Sequence, residues 1–492
     1  MKPLVRPAFC GLLSAAAGLA AAELVASLTR PEASPLVTIG GSVIDATPTP
    51  VKEWAVRNFG TNDKPLLLTG IVVGLVAFAA FVGILASRKR TAGLAAVGLF
   101  GVLGVIAALS RPAHRSIDVL APIVGGVVAV GVLAILTRPI GEAGGRRRFL
   151  TTAAIIAGGV AVAGAGAAVL RQVTGRDAQR ARDAIKLPAP ADAAKPQPNG
   201  STSFFTPNGE FYRVDTSLTV PTIDVESWQV RIHGMVDRPM TLTFADLLKR
   251  PLTERDITLN CVSNEVGGPY IGNAKWLGVP LAGLLREAGI QSGADQIISR
   301  ATEGMTIGTP VSTVLDGRDA MLAIGMNGEP LPLEHGFPMR MLTPGLYGYV
   351  GACKWIVDIE LGTFADFDPY WVKRGWAAKA PVKTASRIDR PLPFAQIKAG
   401  EVTVAGVAWA QTRGITSVQL QIDGGQWVEA ELIPVATADT WVQWRYAWKA
   451  PAGGHSIKVR AIDKTGDVQT EARATPFPDG ATGLHTVAVT VT

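Results

Sequence analysis

Cys261 is the residue of this sequence whose surroundings point most directly to chemistry. It follows the short β-type run 256–259, and a glycine pair follows it at 267–268. A thiolate at the end of a strand, where the chain enters a glycine-rich loop, can bind a soft metal ion. A single cysteine is more often a small buried hydrophobic residue, so the thiol alone leaves both interpretations open.

Two blocks of sequence extend this observation beyond one thiol. The first block joins Thr-Leu-Asn-Cys at 258–261 to Trp-Leu-Gly-Val-Pro-Leu at 276–281. The second block is Met-Asn-Gly-Glu-Pro-Leu-Pro-Leu-Glu-His-Gly-Phe-Pro-Met-Arg at 326–340, and it continues to Pro-Gly at 344–345 and Lys-Trp at 354–355. In this order the blocks resemble the sulfite oxidase family of molybdopterin enzymes. The resemblance covers residues 200–492.

The resemblance implies a molybdenum ion held by the dithiolene of one molybdopterin, by oxygen ligands and by one protein cysteine, which Cys261 matches. Arg340, His335 and Lys354 match the family's binding positions for the pterin, whose phosphate calls for cationic and amide donors. Arg213 matches an arginine close to the metal. The other cofactor contacts that the resemblance implies are Phe211, Tyr212, Val214, Asp215, Glu303, Ala352 and Cys353. As alternatives, Arg340 and His335 can form a structural pair in the core, and Glu303 can be a solvated turn residue.

The resemblance weakens where the family binds its oxyanion substrate. Sulfite oxidases surround the anion with several arginines and a tyrosine, and of these positions Arg213 alone keeps an arginine. Glu265 and Val266 stand at two consecutive arginines, Trp376 at the tyrosine, and Asp479 in the loop that carries a further arginine. An acidic residue beside a dianion disfavours binding by like-charge repulsion. We therefore expect oxygen-atom transfer on a neutral small molecule, such as an S-oxide or N-oxide, rather than on sulfite.

The positive charge of the chain is concentrated in its first third. Residues 1–171 carry 16 Lys and Arg against 7 Asp and Glu, whereas residues 172–492 carry 31 against 33. Because the basic excess flanks apolar segments, it indicates membrane topology rather than nucleic-acid binding. We expect a lipid bilayer, and no nucleic acid, as a partner.

Five apolar stretches of about 20 residues each are long enough to cross a bilayer as helices. They lie near residues 7–28, 65–87, 91–110, 117–137 and 149–170. Their basic flanks share one side if the amino terminus is cytoplasmic. This pattern predicts a multi-pass protein of the cell membrane whose catalytic domains are extracytoplasmic.

The sequence Arg-Arg-Arg-Phe-Leu at 146–150 has the form of a twin-arginine export signal, although it is internal. An enzyme that receives a molybdopterin cofactor in the cytoplasm has to cross the membrane folded, and the twin-arginine route permits this. A plain positive flank of the fifth apolar stretch is the alternative interpretation.

The cysteines and histidines limit the other cofactors. Cys10, Cys261 and Cys353 form no Cys-x-x-Cys motif, which disfavours a zinc site and a c-type haem. A disulfide between Cys261 and Cys353 stays open as an alternative to metal binding. His114 is the only histidine near the apolar stretches, so a membrane b-type haem would lack its second imidazole. No haem is predicted, and a separate electron-transfer protein or a quinone would exchange the electrons.

The sequence therefore predicts a chain of four parts. Residues 1–171 form a transmembrane region of about five helices, and residues 172–200 form a linker, into which the fifth helix can continue. Residues 201–390 mix strands and helices as an α+β molybdopterin-binding oxidoreductase domain. Residues 391–492 show short strands separated by turns, which is typical of an all-β immunoglobulin-like sandwich with a scaffolding role.

Three other functions stay open at this stage. The chain can be a true sulfite oxidase, as the resemblance alone implies. It can be a surface binding protein in which the molybdopterin-type domain is inert. It can also be a small transporter with a regulatory exterior, although the apolar stretches contain few charges, of which Glu23 is the clearest.

Overall fold

The computed structural model describes residues 4–59, 63–138, 145–196 and 203–492. They divide into two compact units. The helical unit comprises Met1–Arg180 and Asp215–Thr222, and the sheet unit comprises Ala181–Val214 and Ile223–Thr492. The predicted start of the soluble enzyme at residue 201 lies outside the described residues.

Seven α-helices account for the described amino-terminal part of the chain. They are α1 (Val5–Thr29), α2 (Pro35–Ala46), α3 (Thr49–Phe59), α4 (Asp63–Arg88), α5 (Arg90–Ser110), α6 (Leu120–Leu136) and α7 (Gly145–Ala184). The five predicted apolar stretches all fall on helices, and five described helices have the length and composition needed to cross a membrane. Helix α7 continues to Ala184, so the first half of the predicted linker is helical.

Small residues let the helices of the helical unit approach closely. A Cβ atom on Gly18 of α1 would lie 2.6 Å from the carbonyl oxygen of Gly125 in α6. Such contacts are typical of helices that pack in lipid. There the hydrophobic effect does not drive association, and small residues allow the close van der Waals packing that does. Glu23 is buried and is bonded by Ser34 at 2.7 Å and by Arg171, so it has structural partners within this unit.

The first part of the sheet unit has ten strands and four short helices. The strands are β1 (Gln229–Gly234), β2 (Met240–Thr243), β3 (Thr253–Asn260), β4 (Ile271–Pro280), β5 (Gln296–Ala301), β6 (Thr306–Pro310), β7 (Met321–Met326), β8 (Glu329–Pro330), β9 (Arg340–Leu342) and β10 (Ile356–Gly362). The helices are α8 (Phe244–Leu248), α9 (Leu281–Ala288), α10 (Val311–Leu315) and α11 (Gly348–Gly351). One sheet has the order β2-β1-β10-β5-β6. The other has the order β3-β4-β7-β8, with β9 paired to β7.

The second part of the sheet unit is a sandwich of two sheets. Its strands are β11 (Ala385–Arg390), β12 (Gln396–Ile397), β13 (Gly400–Trp409), β14 (Ile415–Ile422), β15 (Trp427–Glu429), β16 (Glu431–Leu432), β17 (Val442–Ala450), β18 (Gly453–Asp463) and β19 (His485–Val491). The sheet orders are β11-β13-β17-β16 and β12-β19-β18-β14-β15. Because β11 pairs with β13, the sandwich already begins at Ala385, ahead of the predicted boundary at residue 391.

The sandwich holds the strand that leads to Cys261. The backbone N–H of Thr258 in β3 donates to the carbonyl of Asp439 at 2.9 Å, and its hydroxyl accepts from the N–H of Trp441 at 2.7 Å. Gln411 Nε2 donates to the Thr258 carbonyl at 3.1 Å and to Asn260 Oδ1 at 2.6 Å. Since β3 is an edge strand, these bonds occupy polar groups that its own sheet leaves unpaired.

The carboxyl of Asp439 makes this junction sensitive to pH. Burial, and then the negative charge of Asp319, raise its pKa from 3.8 to about 6. A raised folded-state pKa means that the folded protein binds the proton more tightly, so this contribution to stability is lost as the pH rises from 4 to 6.

We expect Asp439→Asn to raise the free energy of unfolding at pH 7.5 by about 1–3 kcal/mol, because the amide cannot carry the disfavoured charge. At pH 4 the variant should gain little or nothing. Denaturant titrations at both pH values measure the difference. An equal effect at both would show that the charge of Asp439 is not responsible.

Candidate functional site

Cys261 lies where β3 ends and a tight loop begins. Its N–H donates to the carbonyl of Tyr270 at 3.0 Å, and its carbonyl accepts from the N–H of Asn264 at 3.1 Å. The Asn264 side chain closes the loop by accepting from the Tyr270 N–H at 2.8 Å. The thiol is free and only 8% exposed. Burial raises its pKa, while hydrogen bonds at Ser263 and the charge of Lys354 act in the opposite direction.

The second sequence block places Arg340 and His335 in the interior. Arg340 Nη1 donates to the backbone carbonyl of His335 at 3.1 Å, and the guanidinium lies 5.2 Å from the ring centroid of Trp276. Its Nε atom is buried without a hydrogen-bond partner among the described residues. Burial lowers the pKa of Arg340 to about 10, which leaves it charged at neutral pH and still able to donate from Nε.

His335 has a different electrostatic state. Its Nε2 lies 2.9 Å from the carbonyl of Asn208, which requires a proton on that nitrogen. Burial lowers the pKa of His335 to about 4, so the imidazole is neutral at physiological pH. Arg340 and His335 are neighbours through the backbone carbonyl of His335, to which Arg340 donates, and not through the imidazole ring. The neutral imidazole is therefore the tautomer that has its proton on Nε2 and donates it to the carbonyl of Asn208.

Lys354, Cys353 and Glu303 lie together beside this block. Lys354 Nζ donates to the carbonyl of Glu334 at 3.3 Å and lies 4.6 Å from the ring centroid of Trp355. Cys353 is 1% exposed. Burial, and then the charge of Glu303, raise the pKa of Cys353, and Arg340 and Lys354 counteract them. Ala352 is also buried, in a core cluster with Phe211 and Trp276.

The segment 211–215 is divided between the two units. The Phe211 ring stacks on Tyr212 at 5.2 Å and meets His335 edge-on at 5.6 Å. Burial raises the pKa of Tyr212, followed by the charge of Cys261, which places this phenol close to the thiol. Arg213 is half-buried and Val214 is exposed. Asp215 belongs to the helical unit, where Lys64 Nζ lies 2.6 Å from its carboxylate.

A cleft of about 430 Å³ opens between the two parts of the sheet unit. Asn260, the residue before Cys261, lines it, and so do Glu265 and Val266, at which the sequence departs from the family. Trp376 is not among its lining residues; it is buried against Tyr349, Trp371 and Phe477, with ring centroids 5.7, 6.3 and 5.3 Å away.

Several polar residues of the cleft are not indicated by the sequence, and they include Tyr347, Lys383 and Arg413. Burial raises the pKa of Tyr347 to about 12, and the charges of Asp479 and Cys261 act in the same direction. Tyr347 is two residues beyond the Pro-Gly pair at 344–345, so the second block could have drawn attention to it. Lys383 and Arg413 carry no sequence signal, because folding alone brings them to the cleft.

Comparison with known proteins agrees with this architecture. Residues 217–371 match the family described as "Oxidoreductase molybdopterin binding domain". The chain is 27% identical over 352 residues to mitochondrial sulfite oxidase of Mus musculus, which covers 60% of this chain and 64% of that protein. It is 34% identical over 153 residues to the uncharacterized oxidoreductase YuiH of Bacillus subtilis, which covers 31% of this chain and 74% of that protein.

A solved structure gives the same fold. The sulfane dehydrogenase SoxCD from Paracoccus pantotrophus superposes with a TM-score of 0.52 at 24% identity, over 58% of this chain and 81% of that chain. The fold and the matched domain define a molybdopterin-binding oxidoreductase. The chain belongs to the sulfite oxidase family of these enzymes, and it spans slightly less than two thirds of the mouse relative.

Gly336 allows Arg340 and Lys354 to lie close together. Its φ is +117°, and a Cβ atom there would lie 3.1 Å from Arg340 Cβ and 3.3 Å from Lys354 Cα. Gly328 is a matched position, since its φ is +84° and a Cβ atom there would meet nothing within 4 Å.

We expect Gly328→Ala to cost about 1 kcal/mol of stability through backbone strain alone. Gly336→Ala should cost at least about 1 kcal/mol more, because its methyl group also crowds Arg340 and Lys354. Thermal or denaturant unfolding of the two variants measures the difference. Equal losses would show that no close packing exists around Gly336.

Proposed function

We propose that this protein is a membrane-anchored molybdenum-cofactor oxidoreductase that transfers an oxygen atom, and that its substrate is a neutral S-oxide or N-oxide. We infer the substrate class from the charged residues that line the cleft. Its lining includes the acids Glu265, Asp463 and Asp467 but only two cations, Lys383 and Arg413. Both cations are paired with carboxylates, so the cleft favours a neutral polar molecule over a dianion.

The residues around Cys261 fit a molybdopterin cofactor. Cys261 would be the protein thiolate that binds the metal, a soft ligand suited to it. Arg340 brings a buried positive charge with an unused N–H and Lys354 a second cation, and these two groups would hold the anionic pterin phosphate. The one N–H of neutral His335 is already used by the carbonyl of Asn208, so His335 would offer Nδ1 as an acceptor to an N–H group of the pterin. Phe211, Tyr212, Ala352 and Cys353 would enclose it, and Arg213 and Glu303 would complete the contacts. When bound, the cofactor supplies a centre that exchanges two electrons and an oxygen atom.

The overall reaction sets what the protein has to provide. Reduction of an S-oxide to a sulfide consumes two electrons and two protons and releases one water molecule. The Tyr347 hydroxyl stays protonated at neutral pH, because its pKa is raised to about 12, so it is suited to donate a hydrogen bond to the oxide oxygen. A separate electron-transfer protein or a quinone would supply the electrons.

We place the enzyme at the cell membrane with its catalytic part outside the cytoplasm. Five described helices have the length and apolar composition of membrane spans. The basic flanks of these helices support a cytoplasmic amino terminus, and an odd number of crossings then puts the sheet unit outside. A phosphatase reporter fused after Thr492 tests this orientation, since it is active only outside the cytoplasm.

Turnover assays test the substrate class. With a reduced dye as electron donor, the cofactor-loaded protein should reduce small sulfoxides or N-oxides. With an oxidised dye as acceptor, its kcat/KM for sulfite should be at least about a hundredfold lower than for its best oxide, because paired cations offer a dianion no net attraction. Efficient sulfite oxidation would instead support the family's named activity, and cofactor-loaded protein inactive on both would support a binding role.

The variant Cys261→Ser tests the metal ligand. We expect kcat to fall by at least about a hundredfold, because a hydroxyl is a poor substitute for a soft thiolate, while the pterin contacts retain the cofactor. Elemental analysis for molybdenum and the dye-linked assay measure the two effects separately. Cys10→Ser is the control, since that thiol is also buried but lies in helix α1, outside the sheet unit, and the change should leave activity within a few-fold. Full activity of Cys261→Ser would show that the ligand assignment is wrong.

A further inference from the structure

The two cations of the cleft differ in how their charges are compensated. Arg413 Nε donates at 3.0 Å to Asp463 Oδ2, and the side chain of Asp463 is fully buried. Lys383 Nζ donates at 2.8 Å to Asp479 Oδ1 and at 2.8 Å to the carbonyl of Gly480. The side chain of Asp479 is 53% exposed. Arg413 therefore belongs to a structural pair of the interior, whereas Lys383 forms a pair that solvent and solutes can reach.

The loop that carries Asp479 is fitted to the wall of the cleft. Gly480 has a φ of +103°, and a Cβ atom there would lie 2.5 Å from the hydroxyl oxygen of Tyr347. Both the positive φ and the short distance to Tyr347 require a glycine at this position. The backbone thus packs directly on Tyr347, and Asp479 is held next to Lys383. The negative charge of Asp479 also raises the pKa of Tyr347 and of Tyr349, as a smaller cause than burial.

We propose that Asp479 is a specificity-determining residue, which excludes dianions by neutralising Lys383 on the wall of the cleft. The inference rests on the proposed function only in placing the substrate in this cleft. With the carboxylate of Asp479 at 2.8 Å, Lys383 offers an approaching anion no net charge. Without the carboxylate, Lys383 would present an uncompensated positive charge beside the Tyr347 hydroxyl. A neutral oxide, which needs only hydrogen bonds, is affected much less.

Sulfate is the probe for a test, because it is a tetrahedral dianion that undergoes no redox step here. In the cofactor-loaded full-length protein, Asp479→Asn should bind sulfate at least about fivefold more tightly than the wild type at low ionic strength. Isothermal titration calorimetry measures the affinity, and molybdenum content and melting temperature confirm that the variant is intact. The gain should shrink as salt is added.

Three further variants assign the effect to the pair of Asp479 and Lys383. Glu471→Gln removes a carboxylate from a similar pair, in which Lys458 Nζ lies 2.8 Å from Glu471 outside the lining of the cleft, and should leave sulfate affinity unchanged. The double variant Asp479→Asn/Lys383→Gln should return to the wild-type affinity. Lys383→Gln alone should change the affinity less than about twofold, because that charge is already cancelled.

The inference is overturned if Asp479→Asn binds sulfate no more tightly than the wild type. It is also overturned if Glu471→Gln gives the same gain, if the gain survives in the double variant, or if Lys383→Gln alone abolishes sulfate binding. Sulfate affinity does not depend on turnover. If the wild type reduces no S-oxide or N-oxide but Asp479→Asn gains sulfate affinity, the proposed substrate class is wrong and the role of Asp479 stands.

Discussion

The candidate site depends on how one edge strand is held. Strand β3 ends at Asn260, immediately before Cys261, and one side of it has no neighbouring strand in its sheet. Unpaired backbone groups at such an edge are costly when buried and attract other chains when exposed. The sandwich removes both problems, because Gln411, Asp439 and Trp441 bond β3 through its backbone and side chains. The position of the thiol is therefore determined by two parts of the sheet unit together.

The same junction determines the chemistry of the cleft. One wall of the cleft comes from the loop after Cys261, and the other comes from the sandwich and the chain leading into it. The sequence predicts a scaffolding role for the sandwich, but residues 413, 463 and 479 give it a direct part in the electrostatics of the cleft. Each positive charge there is matched by a carboxylate within hydrogen-bond distance. Deeper in the unit, by contrast, Arg340 keeps its charge despite burial, whereas burial keeps His335 neutral.

Much of the fold could be predicted, since local patterns determine it. Four of the five apolar stretches became helices within a few residues of their predicted ends, whereas the fifth helix continues to Ala184, and the carboxy-terminal part consists of short strands as predicted. The family was also evident from two short blocks and is confirmed by the comparisons. The residues matched to cofactor contacts could be proposed because they lie next to recognisable glycines and prolines, and their contact with the cofactor stays a prediction.

The rest could not be predicted because it depends on contacts between distant residues. Nothing near Lys383 in the sequence indicates that it meets Asp479, and nothing near Gln411 indicates that it supports Asn260. Asp215 is a further example. Its cofactor contact stays a prediction from a local match, and nothing near it in the sequence indicates its ion pair with Lys64 of the helical unit. The pairing partners of charged side chains, more than their positions along the chain, decide what the site attracts.

The protonated state of the buried thiols also bears on the life of the protein before it is active. Cys261 and Cys353 are free, and burial raises the pKa of both. Oxidants and alkylating reagents attack thiolates, so buried and protonated cysteines react slowly. A newly made chain can thus keep both thiols intact for longer than exposed cysteines would stay intact. Burial of Cys261 and Cys353, which packs the core, at the same time protects the two thiols from oxidation and alkylation.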